Sequence, residues 1–224
     1  MDLAILNDYA IGFLLRWIHI LAGITWIGLL YYFNFVQGEY FKEADGGAKG
    51  DAIQKLVPRA LWWFRWGAMF TFLSGIGLLA FYKLMSIGIL TGATLGTIMF
   101  LNVWLIIWPN QKIVIASANS VASGGEADPN AAGALAKAGL ASRTNTLFSI
   151  PMLFFMAGSR HLFGAIQEPI GALGVAEIAV VFGIIVLLAL NGIKGKMGPM
   201  ASVSGVIHSG IALTAILYLA IEFL

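Results

Sequence analysis

The chain of 224 residues is 59% hydrophobic and only 11% charged, with a mean hydropathy of +0.87, which excludes an ordinary soluble globular domain and indicates an integral membrane protein. Its net charge of +2 comes from dispersed basic residues, so there is no nucleic-acid footprint. The absence of cysteine excludes disulfides, iron–sulfur clusters and a covalently attached c-type haem.

Windows of about 20 apolar residues, the length that crosses a bilayer, recur at 11–34, 61–82, 87–108, 145–166, 173–191 and 201–223. They predict an all-α polytopic bundle of about six transmembrane helices forming one integral membrane domain, 1–224. The N-terminus lacks a basic n-region and a small-residue cleavage site, so the first run reads as a retained span rather than a leader. Lys42, Lys49, Lys55 and Arg59 follow the first span, Lys112, Lys137 and Arg143 the third, and Lys194 and Lys196 the fifth, against Lys83 alone after the second. Basic loops stay inside. Loops one, three and five are therefore expected to be cytoplasmic and both chain ends periplasmic, in a bacterial inner membrane. Trp62, Trp63, Trp66, Trp104 and Trp108 fall at the same inner border, as an aromatic belt does.

The first span carries Arg16 and His19 inside an apolar run, where ionisable side chains are costly unless paired. At helical spacing Gly12, Arg16, His19, Gly23 and Trp26 share one face, which suggests a surface that a flat ligand can approach. Gly88, Gly92 and Gly96 on the third span form a small-residue ridge for close helix packing. The long connection 109–143 contains GGEADPN, a turn-and-cap signal with Asp128 as N-cap and Pro129 at the first helical position. It predicts a cytoplasmic helical hairpin, 112–122 and 129–142, with Pro109 and Pro151 as kink candidates. Glu39, Glu43 and Asp45 with Lys42 read as a solvated loop.

All three histidines, His19, His161 and His208, lie within or at the end of predicted spans, each with Gly or Ala one turn away. Haem ligation by imidazole needs such clearance; hydrogen bonding between helices is the alternative. Counting about 1.5 Å per residue, His19 lies about 12 Å and His161 about 8 Å below the outer boundary, while His208 lies about 10 Å above the inner one. Axial pairing of one b-type haem therefore favours His19 with His161, and His19 with His208 stays open. Arg16 and Arg160 near the outer level suit haem propionates or an anionic substrate, with snorkelling to the interface as the alternative. Arg65 and Asn102 make a second polar set in the inner half, where Arg65 binds another anionic group, stacks on tryptophan or snorkels. No Ser-His-Asp triad, phosphate loop or paired-carboxylate site is present.

The segment RWIHILAGITWIGLLYYFNF resembles the opening helix of the urate oxidase N-terminal membrane family. WWFRWGAMFTFLSG, with Arg65, Thr71 and Gly75, and NVWLIIWPNQK are similar to further motifs of that family. The resemblance covers the first half of the chain closely and the second half loosely, and its motif maps onto Arg16, Trp17, His19, Gly23, Trp26, Gly28, Phe33, Trp66 and Gly75. It implies redox work by a bacterial inner-membrane haem protein, since the larger members oxidise urate and pass electrons to a C-terminal cytochrome c domain. This chain contains no Cys-x-x-Cys-His and has ADGGAKG where the larger enzymes carry a His-Gly-Gly stretch. Electrons are accordingly expected to leave to a separate cytochrome c or to quinone. Trp17 and His19 also resemble the haem-dependent porphyrinogen oxidases. The rival class is a non-catalytic subunit of a larger respiratory or oxygenase complex, or a homo-oligomer, packing through the glycine ridge.

Overall fold

The computed structural model describes residues 8–224, and the reading of the first seven residues as lacking a basic n-region lies outside them. Among the described residues eight α-helices make up the bundle. Helix α1 (Asp8–Tyr31) runs through a π-helical turn, Tyr32–Gln37, into α2 (Gly38–Glu43) without a break. After a two-residue turn α3 (Gly46–Tyr82) starts with Asp45 as its N-cap, whose carboxylate accepts the Ala48 N–H at 2.9 Å. The first basic segment is thus two helix ends joined by a tight turn rather than a loop, and Glu39 and Lys42 form an exposed i,i+3 ion pair on α2.

Helix α4 (Ile87–Leu101) passes through a second π-helical turn, Asn102–Ile107, into α5 (Trp108–Ala122). Pro109 supplies the reason for that turn. It has no N–H to offer the carbonyl of Leu105, and its ring crowds that carbonyl, so the bonding widens locally instead of the helix ending. The predicted hairpin closes onto α6 (Ala131–His161), which begins two residues later than expected. Asp128 spends its side chain on the Asn130 N–H at 2.8 Å, a local turn ahead of the helix, while its own N–H donates to Ser117 Oγ at 3.0 Å. Pro151 lies inside α6, which continues through it. Helices α7 (Val175–Lys194) and α8 (Val203–Phe223) complete the bundle.

Among the described residues five helical stretches are long and apolar enough to cross a membrane: Tyr9–Glu43, Gly46–Tyr82, Ile87–Ala122, Val175–Lys194 and Val203–Phe223. The protein is therefore a multi-pass membrane protein whose apolar helices suit a lipid bilayer. The sixth expected span falls on α6, 31 residues long but too polar by the same measure. Its polarity is internal. Arg143, Thr144, Asn145, Thr146 and Ser149 are all buried, because α6 is the central helix against which α1, α4, α5, α7 and α8 pack.

The glycine ridge does what its spacing suggests. A Cβ on Gly88 would stand 2.6 Å from Ile166, one on Gly92 2.7 Å from Met156 and one on Gly96 3.4 Å from Met152 Sδ, so α4 lies close against α6 and the loop that follows it. Helix α1 is tied chiefly to α3, where Gly67 lets the Trp26 backbone approach to 3.1 Å of where a Cβ would be.

Candidate functional site

The stripe Gly12, Arg16, His19, Gly23 and Trp26 does share one face of α1, but α3 covers it. Gly12 meets Tyr82, the Arg16 guanidinium lies 5.1 Å from the centroid of that same ring, Gly75 meets the His19 imidazole, and Thr71 stands 3.9 Å from where a Gly23 Cβ would be. The surface expected for a flat ligand is thus an interhelical contact. Small residues were read there as clearance, and what they clear is the way for α3.

Within that contact His19 is held in a defined state. Its Nδ1–H donates to the Thr71 carbonyl at 2.9 Å, with Ser74 Oγ at 3.3 Å. Nδ1 is therefore the protonated nitrogen and Nε2 keeps its lone pair, the arrangement in which an imidazole ligates a metal. The Thr71 hydroxyl turns back to the Gly67 carbonyl, and the Ser74 hydroxyl reaches both the Phe70 carbonyl at 2.6 Å and the Thr71 carbonyl at 3.1 Å, so His19 and Ser74 share that acceptor.

His161 is the exposed last residue of α6. Helix α1 meets the middle of α6 where Tyr31 Oη and Ser149 Oγ lie 2.9 Å apart. Arg16 and Arg160 are both exposed. His208 is exposed on α8, donates from Nδ1 to the Ser204 carbonyl at 2.7 Å, and lies two residues from Gly210, which packs on Ile150. Ile150 is eleven residues along α6 from His161, a height difference of about 16 Å. The small residues beside the last two histidines are occupied by their own chain: Gly158 by Leu162 and Ile166, Gly164 by Glu222, Gly205 by Pro199 and Gly210 by Ile150. Among the described residues no group of three or more His, Asp or Glu gathers to hold a metal ion.

A second polar level lies deeper, where the two π-helical turns meet α6. Asn34 of the first turn donates to Ser142 Oγ at 2.8 Å. Asn102 of the second donates to Asn145 Oδ1 at 2.8 Å, and Asn145 Nδ2 donates to the Met99 carbonyl at 2.9 Å. Arg65 lies with its guanidinium 3.6 Å from the Trp108 ring centroid, the stacked alternative among those its sequence context allows. Trp66 and Trp104 meet edge to face at 5.8 Å. Sequence reasoning found Arg65 and Asn102 here but not Asn34, Arg143 or Asn145. The signal was available in RTNT, four consecutive polar residues inside the helix against which α1, α4, α5, α7 and α8 pack.

No curated protein and no solved structure matches the chain. One family model does, over residues 85–219, described as urate oxidase N-terminal. The match begins just before α4 and takes in Asn102, Arg143, Asn145, Arg160, His161 and His208, whereas the motifs that suggested the likeness lie mostly earlier, on α1 and α3. It is the second half, expected to resemble the family only loosely, that carries the match. Covering more than half of the sequence, it shows that the chain belongs to the urate oxidase N-terminal family.

Proposed function

We propose that the protein is a bacterial inner-membrane redox protein that holds a b-type haem with His19 of α1 as a ligand. The observation that carries this reading is His19, whose Nδ1–H is committed to the Thr71 carbonyl so that Nε2 presents a lone pair. On this reading His161 is the second imidazole, and Arg16 and Arg160 are the guanidinium groups for propionates. A bound haem supplies one-electron chemistry. The protein's part is to fix the imidazole tautomer through Thr71, to neutralise the propionates and to keep the site in an apolar surround. Family membership favours a urate-like substrate, with electrons leaving to cytochrome c or quinone.

The test is an absorption spectrum of the detergent-purified protein, oxidised and dithionite-reduced, with a pyridine haemochrome assay. The expected result is near-stoichiometric haem with b-type bands that are lost in His19→Ala, weakened in His161→Ala and retained in His208→Ala, and reduction of that haem by urate. No haem in protein expressed with ample haem supply overturns the reading and leaves a non-catalytic membrane subunit in its place.

A further inference from the structure

The deeper polar level carries more positive charge than its own side chains answer. Arg143 is 9% exposed, yet its Nη1 is buried with no hydrogen-bond partner. The nearest carboxylate, Glu39, is 3.9 Å from Nη2, beyond hydrogen-bond range. Glu39 is moreover engaged by Lys42, which donates to both of its oxygens at 2.8 Å. Arg65 likewise has a buried Nη1 without a partner, and so does the indole Nε1 of Trp104. An unpaired guanidinium held out of water is expensive, and a buried charge is normally answered by a counter-charge.

A closed ring of contacts joins the segments that carry these donors. Asn34 bonds Ser142, the neighbour of Arg143. Phe33, the neighbour of Asn34, meets Phe64 edge to face at 5.5 Å. Phe64 is followed by Arg65, stacked on Trp108 at the end of the second π-helical turn, and that turn returns to α6 through Asn102 and Asn145. Both π-helical turns, the kind of irregularity that accompanies functional sites, lie on this ring. Gln37 Oε1 on the first turn is a buried acceptor without a partner, but it carries no charge, so the two guanidinium groups leave an excess of positive charge and donors.

We propose that this level is a binding site for a small carboxylate, with Arg143 as its principal cation and Arg65 as the second. A carboxylate offers two oxygens in the planar spacing that a guanidinium fork matches. Arg143 lies eighteen residues along α6 from His161 (161 − 143), and the site does not depend on haem being bound. A lipid phosphate offers similar oxygens, but the unpartnered Nη1 of Arg143 is shielded from the surface, which favours a small soluble anion.

The experiment titrates acetate and benzoate into the delipidated, detergent-purified protein and reads the thermal midpoint and the tryptophan fluorescence of the Trp104 and Trp108 region. Chloride, the neutral acetamide and phosphatidylglycerol are titrated in parallel. We expect saturable stabilisation by a carboxylate and none by acetamide. Arg143→Gln and Arg65→Gln should each weaken half-saturation at least tenfold, with Arg143→Lys in between, while Glu39→Gln should tighten it several-fold by removing a neighbouring negative charge. A purely structural Arg143 predicts no such opposite movement of the two variants. Saturation by phosphatidylglycerol alone, by chloride equally well, or by none of the probes overturns the proposal, as does a carboxylate response unchanged in Arg65→Gln should Arg143→Gln fail to fold. Haem content is measured on the same samples, so a failure here is separate from a failure of the redox reading.

Discussion

Asn145 and Asn102 share a hydrogen bond of 2.8 Å at the point where the helix carrying Asn102 changes from α to π bonding, and Asn145 donates onward to Met99 one turn back. One side chain on the central helix thus secures both the last α turn and the first π turn of its neighbour.

Removing that side chain should be costly for its size. Asn145→Ala leaves the Asn102 side-chain amide unanswered at a fully buried site and takes from the Met99 carbonyl one of its two donors, the other being the Asn102 N–H, and about 1–3 kcal/mol of destabilisation is expected. Reversible unfolding in mixed micelles measures it. In a double-mutant cycle, Asn102→Ala added to Asn145→Ala should cost less than the sum of the single changes.

The close approach of α4 to α6 predicts a graded response along the glycine ridge. Gly92→Leu should cost at least about 1–3 kcal/mol through overpacking, because Met156 and the Met152 carbonyl occupy the space a side chain needs. Gly96→Ala, whose nearest neighbour is the flexible Met152 thioether, should cost less. The thermal midpoints of the two variants decide it.

Stacking of Arg65 on Trp108 at 3.6 Å makes the ring more than filling. Trp108→Leu should destabilise by about 0.5–2 kcal/mol beyond the lost apolar area. Arg65→Lys should not restore stability in the wild-type background, since an ammonium lacks the flat face that stacks. Thermal unfolding in detergent reads both.

Two charged residues in contact with Glu39 should behave differently. Lys42→Ala removes an exposed ion pair and should change stability by less than about 1 kcal/mol. Arg143→Met removes a buried cation without a full partner and should be neutral or stabilising by about 1–4 kcal/mol in the absence of added anion. Strong destabilisation by Arg143→Met would show that the arginine is already satisfied.

Much of the fold is legible in the sequence because apolar length acts locally. The windows ending at Phe223 and Tyr82 coincide with helix ends, and Gly88, Gly92 and Gly96 mark a real contact. The centre was harder to see. A helix surrounded by others has no lipid-facing demand for continuous apolarity, so α6 hides its importance behind Arg143 and Asn145, which hydropathy penalises. His19 was identifiable from its cost in a membrane, but its Thr71 partner was not, since a backbone carbonyl that accepts a side-chain hydrogen bond leaves no residue-type signature. The same limitation misassigned the Gly12 to Trp26 stripe, where spacing reveals a face and not what covers it.

The two π-helical turns have a geometric effect that reaches past their own residues. Each accommodates about one extra residue in a helix, and one residue is about 100° of rotation, so everything beyond the turn faces a different way from what the earlier half would dictate. Glu39 and Trp108, the carboxylate nearest Arg143 and the ring under Arg65, both lie just beyond such a turn. The environment of the two inner cations is therefore a matter of phase. Deleting a single residue from 32–37 or from 102–107 would leave every side chain at this level chemically intact while swinging the surroundings of one arginine about a quarter-turn away.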